Sequence, residues 1–352
     1  MLTRHRLLPG LATTLLSAML LAGATVAAPP VPAAPDKPNT GSSDGPGPAE
    51  QTRPMTPGAK VARITQVNDR LLRVHVDSPA MSRTVEVLVL LPRDRSAPRP
   101  TVYMLDGRAT LPYGNNWLDR GRAAEFYADK NVNVVFTVGG PASFYTDWQR
   151  PDPVLGTNMW ETFLTEELPP LIDAEFQGNG RNAVMGVSMG AEAAMMLAAR
   201  KPHLYSAVAA HSGCFSTGTD LGQVQARAVV ATYDGDPDNM FGPPDDPAWL
   251  DHDVTLYAEA LRGKAIYLSV GSGLPGEHDV LGAPEFPTAV GFGGPLEAAT
   301  AICTRRIAAR LDTVGIPYTA HFRPTGTHAW PYWADELVRS WPTVAAGLGI
   351  TA

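Results

Sequence analysis

The residues whose types and spacing could do chemistry centre on Gly186-Val187-Ser188-Met189-Gly190. An apolar run, Ala183 to Val187, leads into it, and the helix-forming run Ala191-Glu192-Ala193-Ala194-Met195-Met196-Leu197-Ala198-Ala199 follows at once. Strand, tight turn and helix in that order put a serine on a strained turn, and the flanking glycines let strand and helix pack closely around it. At a helix N-terminus, backbone N–H groups favour the negative charge that develops on an acyl intermediate. The chemistry implied is nucleophilic acyl transfer with Ser188 as the attacking group.

A hydroxyl needs a base to take its proton, so a histidine is required downstream. His203 and His211 follow the serine too closely. His252 and His278 precede the last expected strand, and His321 lies within it. His328, in Thr325-Gly326-Thr327-His328-Ala329-Trp330, falls in the loop after that strand, where an α/β-hydrolase places its base. The acid that orients the imidazole should lie between serine and histidine, and Glu277, Asp279 and Glu297 all qualify. Spacing does not choose among them, although an acid soon after the strand Lys264 to Val270 would favour Glu277 or Asp279. For the oxyanion, the N–H of Met189 and a second N–H after Thr101 to Leu105 are expected. Arg108, just past Asp106-Gly107, is in position for the second.

The elements that must position these residues alternate. Runs rich in β-branched or aromatic residues at 84–91, 101–105, 132–138, 183–187, 207–210, 264–270 and 318–323 read as strands. Helical stretches are expected at 160–174, 191–200, 254–261 and 296–314. This alternation predicts an α/β-hydrolase fold, a mostly parallel central sheet flanked by helices on both faces. In such sheets the ligand sits beyond the carboxyl ends of the strands.

The remaining chain says where the protein works. Arg4 and Arg6 precede an apolar stretch and then small residues up to Ala28, the pattern of a secretory signal peptide over 1–28. The apolar run is too short and too interrupted by Thr13, Thr14 and Ser17 to span a bilayer, so no integral membrane segment is expected after cleavage. Residues 29–58 are rich in Pro, Ala and Gly and read as a disordered tether, leaving 59–352 as one catalytic domain. A net charge of −7 from mixed rather than blocked charges disfavours nucleic acid as a partner. In an exported chain the two cysteines, Cys214 and Cys303, read as a disulfide. No zinc-like Cys/His cluster or acidic calcium loop is visible, so no metal and no cofactor are expected.

Several motifs resemble the secreted trehalose mycolyltransferases of antigen-85 type. They are Val138-Gly139-Gly140 with Ser143-Phe144-Tyr145-Thr146-Asp147-Trp148, then Trp160-Glu161-Thr162-Phe163-Leu164-Thr165, then Met240-Phe241-Gly242-Pro243 with Asp246-Pro247-Ala248-Trp249. Gly326-Thr327-His328-Ala329-Trp330-Pro331-Tyr332-Trp333 completes the set. The resemblance implies a Ser188, His328 and Glu297 triad. It also implies mycolyl transfer from trehalose monomycolate to a second trehalose ester or a cell-wall glycan, with Asp106 and Trp330 at the sugar site. The chain departs from the family at Arg108, which stands one residue earlier than the family's sugar-binding arginine, at Ala329 where a serine commonly follows the histidine, and at Gly190. Two other functions compete with transfer. One is a secreted carboxylesterase, and the other is a binding protein of the kind formed by relatives that have lost the nucleophile. The intact Ser188 and His328 argue against the second. With Glu297 as the acid, a Cys214–Cys303 bridge would tie the segment after one strand to the helix that carries it.

Overall fold

The computed structural model describes residues Thr56–Ala352; the expected signal peptide and all but the last residues of the expected tether lie outside them. Arg99–Leu105 (β4) and Asn133–Thr137 (β5) are buried along their whole length, the signature of strands covered on both faces. They sit at the middle of a nine-stranded sheet of order β1-β2-β3-β5-β4-β6-β7-β8-β9. The other strands are Lys60–Gln66 (β1), Leu71–Ser78 (β2), Arg83–Leu90 (β3), Gly178–Val187 (β6), Tyr205–His211 (β7), Ala265–Val270 (β8) and Thr319–Phe322 (β9). Pairing is antiparallel from β1 to β3 and between β3 and β5, then parallel from β5 to β9. The fold is thus α/β with a mostly parallel central sheet, as the alternating runs implied.

Two cores clothe the sheet. One face packs against Leu168–Phe176 (α1), Met189–Arg200 (α2) and Asp220–Ala231 (α3), burying Leu171, Met195, Leu197 and Val230, and against Gly294–Thr313 (α4), which adds Ile307 and Leu311. The other face takes Trp330–Leu348 (α5), whose Leu337, Trp341, Val344 and Leu348 recur at helical spacing and are buried while Val338 points outward. Among the described residues no helix is long and apolar enough to cross a membrane.

The sequence reading missed β1, β2, α3 and α5. It also expected a helix over 254–261, where only Ala258–Leu261 winds, as a 3-10 turn. The cause is Asp253, whose carboxylate accepts hydrogen bonds from the Thr255 N–H at 2.8 Å and the Gly218 N–H at 3.0 Å. A side chain that satisfies nearby backbone donors in this way favours a turn over a helix start. The stretch expected as a helix from Trp160 does wind continuously to Phe176, with a π segment at Phe163–Glu167.

Candidate active site

β6 ends at Val187, and α2 begins at Met189, so Ser188 must turn the chain within one residue. It does so at φ 55°, ψ −125°, a region that side-chain-bearing residues rarely occupy. The flanking glycines are required sterically: a Cβ on Gly186 would collide with the Gly190 carbonyl, and one on Gly190 with the carbonyls of Leu105 and Asp106. The Ser188 N–H donates to the His211 carbonyl at 2.8 Å, fixing the turn to the end of β7. Among the described residues the Ser188 hydroxyl makes no hydrogen bond. Above it, the first turn of α2 leaves N–H groups without helical partners.

His328 lies between β9 and α5. Its backbone N–H donates to the Gly293 carbonyl at 3.1 Å, and its ring stands edge-on to Trp333 at 4.8 Å between centroids. Nδ1 pairs with Glu297 Oε2 at 2.7 Å. Given to the carboxylate, the Nδ1 proton leaves Nε2 as the basic nitrogen. Glu297 is completely buried in the first turn of α4, where the helix dipole favours its negative charge. Its other oxygen, Oε1, accepts from the Gly271 N–H at 2.6 Å, Ser212 Oγ at 2.9 Å and Arg323 Nη2 at 3.2 Å. The alternatives lie elsewhere. Glu277 is exposed, and Asp279 accepts from the Gly276 N–H, Thr327 Oγ1 and the Tyr332 hydroxyl.

Ser212, Trp333 and Arg323 were not singled out from the sequence. Ser212 follows β7 directly, donates to Glu297, and accepts from Trp333 Nε1 at 3.0 Å. A line of contacts therefore runs from Ser188 through the end of β7 to Glu297 and His328, all along the carboxyl edge of the sheet. The Cys214–Cys303 disulfide fastens the segment after β7 to α4, with Cα atoms 4.7 Å apart. Beside it, Glu192 on α2 is buried; Oε1 accepts from the Cys214 N–H and from Gln225 Nε2, both at 3.1 Å. Burial pushes this carboxyl up to about 8, against the pull of those two hydrogen bonds. His211 is buried with Nδ1 on Ser269 Oγ at 2.7 Å, and burial lowers it to about 4, so it is a neutral structural histidine.

The loop after β4 lies against the nucleophile: a Cβ on Gly107 would stand 3.6 Å from that of Ser188. The N–H of Arg108 has no hydrogen-bond partner among the described residues. Its side chain reaches away, to Thr232 Oγ1 at 3.3 Å, with the Tyr233 and Phe292 rings both 5.9 Å from the guanidinium. Asp106 is buried beneath this loop. Its carboxylate accepts from the Asn116 N–H at 2.9 Å, Asn116 Nδ2 at 2.8 Å and the Gly107 N–H at 3.0 Å. Burial raises it to about 6 despite these bonds. Three donors leave a carboxylate little capacity for a ligand, so its visible role is to hold the loop. Trp330 is half-buried, edge-on to Trp117 at 5.3 Å and to Trp333 at 5.2 Å. One group of side chains among the described residues has ligand atoms close enough for a metal ion, Glu277, His278 and Asp335; it is exposed, and His278 already pairs with Asp335 at 2.7 Å.

Residues 78–344 match the family described as "Putative esterase". The chain is 30% identical over 292 residues to the diacylglycerol acyltransferase/mycolyltransferase Ag85B of Mycobacterium intracellulare, covering 79% of this chain and 84% of that protein. It is 30% identical over 281 residues to the Ag85C protein of Mycobacterium leprae, covering 77% and 80%. Among solved structures, Mycobacterium tuberculosis MPT51 superposes with a TM-score of 0.65 at 25% identity, over 78% of this chain and 97% of that one. An S-formylglutathione hydrolase from Agrobacterium tumefaciens shares the fold alone, with a TM-score of 0.60 at 17% identity over 82% and 100%. On these matches, and on the motifs that run from Val138 to Trp333, the chain belongs to the esterase family and, within it, to the antigen-85-type mycolyltransferases.

Proposed function

We propose that this member of an acyltransferase and esterase family moves a long-chain, mycolyl-type acyl group from trehalose monomycolate to a sugar hydroxyl, through an acyl-Ser188 intermediate. The observation that carries the reading is the Glu297–His328 hydrogen bond, tied through Ser212 to the end of β7, where the strained strand-to-helix turn bearing Ser188 is also fixed. His328 Nε2 takes the Ser188 proton as Oγ attacks the ester carbonyl, and Glu297 stabilises the resulting imidazolium. The N–H groups of Met189 and Arg108 receive the oxyanion. Collapse of the tetrahedral intermediate expels trehalose, which takes the proton from His328. An acceptor hydroxyl then repeats the sequence in reverse and regenerates Ser188. Trp330 offers an apolar face to a sugar ring, while Asp106 supports the loop that carries Arg108. No cofactor enters this chemistry.

An exported enzyme fits this reading. A signal peptide over 1–28 and a tether over 29–58 would deliver the catalytic domain to the envelope, and a disulfide suits an oxidising compartment. The partners are trehalose mycolates and cell-wall glycan acceptors. The esterase family match favours hydrolysis as the second reading. Incubation of the purified protein with trehalose monomycolate, alone and with diacylglycerol, followed by lipid identification, separates the two. Diacylated trehalose supports transfer to sugar; free mycolic acid alone supports hydrolysis and ends the transferase reading.

A further inference from the structure

Arg323 directly follows β9, and its side chain is 10% exposed, with the guanidinium between two fully buried carboxylates. Nη2 donates to Glu297 Oε1 at 3.2 Å and Nη1 to Glu336 Oε1 at 2.9 Å. Glu336, on α5, also accepts from the Tyr267 hydroxyl of β8 and from His321 Nδ1 of β9, both at 2.6 Å. Burial opposes the charge on Glu336, but the hydrogen bonds from Tyr267 and His321 and the charge of Arg323 hold it below the ordinary carboxylate range. Tyr332 covers the guanidinium, whose centre lies 5.1 Å from the ring centroid. The remaining charged groups facing Arg323, across a cleft that opens at His321, are Glu277, Asp335 and Arg339.

We propose that Arg323 is a positioning residue for the catalytic pair: a permanent cation that holds Glu297 Oε1, turns Oε2 toward His328, and opposes a second positive charge on the imidazole. The assignment rests on the acyl-transfer reading only for its consequence in turnover. Guanidinium and imidazole sit on opposite oxygens of one carboxylate, so the second positive charge formed during catalysis develops near a fixed first one. Contacts of 3.2 Å and 2.7 Å on the two oxygens of one carboxylate keep the two charged nitrogens within about 8 Å, where an effective dielectric of ~20 to 40 makes their repulsion worth roughly one pH unit. Arginine suits this task because it stays charged throughout the working range and presents two parallel donors to two acids. Glu336 sets how much of that charge reaches Glu297.

The test is the NMR titration of the His328 ring, assigned by its loss in His328→Ala, in the native protein, Arg323→Met and Arg323→Lys. The ring titration should move up by about one pH unit in Arg323→Met and stay near native in Arg323→Lys, with the acid limb of kcat/KM on an aryl ester moving alongside. A titration unmoved in Arg323→Met, with rates lowered equally at every pH, would mean that Arg323 is only a packing brace and would overturn the proposal. If Arg323→Met does not fold, Glu336→Gln provides the second variant: freeing Arg323 from its other acid should lower the ring titration, and no change would also overturn it. A moved titration with no acyl transfer in any protein would sustain Arg323 and defeat the acyl-transfer reading instead.

Discussion

Replacing Glu192 by glutamine should stabilise the protein, and by an amount that depends on pH in a defined way. Two buried oxygens lack partners here, Glu192 Oε2 and Gln225 Oε1, and they belong to side chains that already share one hydrogen bond. A proton on Glu192 Oε2 would serve both, closing an acid–amide pair between α2 and α3. Burial raises this carboxyl from 4.5 to about 8. The sign follows. The unfolded chain releases the proton near 4.5, whereas the folded protein keeps it to about 8, so stability falls as pH rises across that window and levels off above it. At about 1.4 kcal/mol per unit, the cost is roughly 3 kcal/mol at pH 7 and about 5 above pH 8. Glutamine can make both hydrogen bonds of the pair and carries no proton to lose. Urea unfolding of the native protein and of Glu192→Gln at pH 5, 6, 7 and 8 measures the difference. It should be small at pH 5, grow to roughly 3 kcal/mol at pH 7 and about 4 at pH 8, and flatten only above that. A difference independent of pH, or a native protein more stable at pH 7, would refute the reasoning.

Glu297→Gln should leave the fold intact and lower kcat on an activated ester by roughly a thousandfold or more, since His328 loses the anion that stabilises its charged form; a loss under tenfold would remove Glu297 from the catalytic pair. The double variant Cys214→Ser, Cys303→Ser opens a bridge spanning 89 residues, a constraint worth up to about 4.5 kcal/mol. Urea unfolding should show a loss of roughly 2–4 kcal/mol, and an unchanged midpoint would mean that the bridge constrains nothing. Gly186→Ala drives a Cβ into the Gly190 carbonyl and should cost more than about 3 kcal/mol or prevent folding. Its soluble yield and urea midpoint decide, and near-native values would show that the elbow is looser than described.

What could be read from the chain divides along physical lines. β4 to β8 were legible because runs such as Val102 to Leu105 and Val134 to Phe136 are apolar throughout, as parallel strands buried on both faces must be, whereas β3, antiparallel to both neighbours, and the part-exposed β9 showed only as β-branched or aromatic runs. β1 escaped notice because nearly all of Lys60–Gln66 faces solvent and carries no alternation to detect. α3 and α5 were hidden by helix-breaking residues: Gly222 stands in α3, and Pro342 lies inside α5, where bulky packing of Leu337, Trp341 and Val344 outweighs the lost hydrogen bond. Ser188 and His328 were legible because each has a local signature, an elbow and a loop after the last strand. The partner of His328 had none. Residues 271–293 fold back so that the Gly273 N–H donates to the Gly326 carbonyl and Gly293 accepts from His328, which brings Glu297 rather than the nearer Glu277 to the imidazole. Arg323, Ser212 and Trp333 were invisible for the same reason. Their roles depend on partners 13 to 121 residues away, and no periodicity encodes such a meeting.

The central claim is that Ser188 carries the acyl group between donor and acceptor. Mass analysis of the protein quenched within its first turnovers on trehalose monomycolate tests it directly. One added acyl mass is expected on the peptide containing Ser188, absent from Ser188→Ala and discharged when trehalose is supplied. Diacylated trehalose formed without that adduct, or formed equally well by Ser188→Ala, would contradict it.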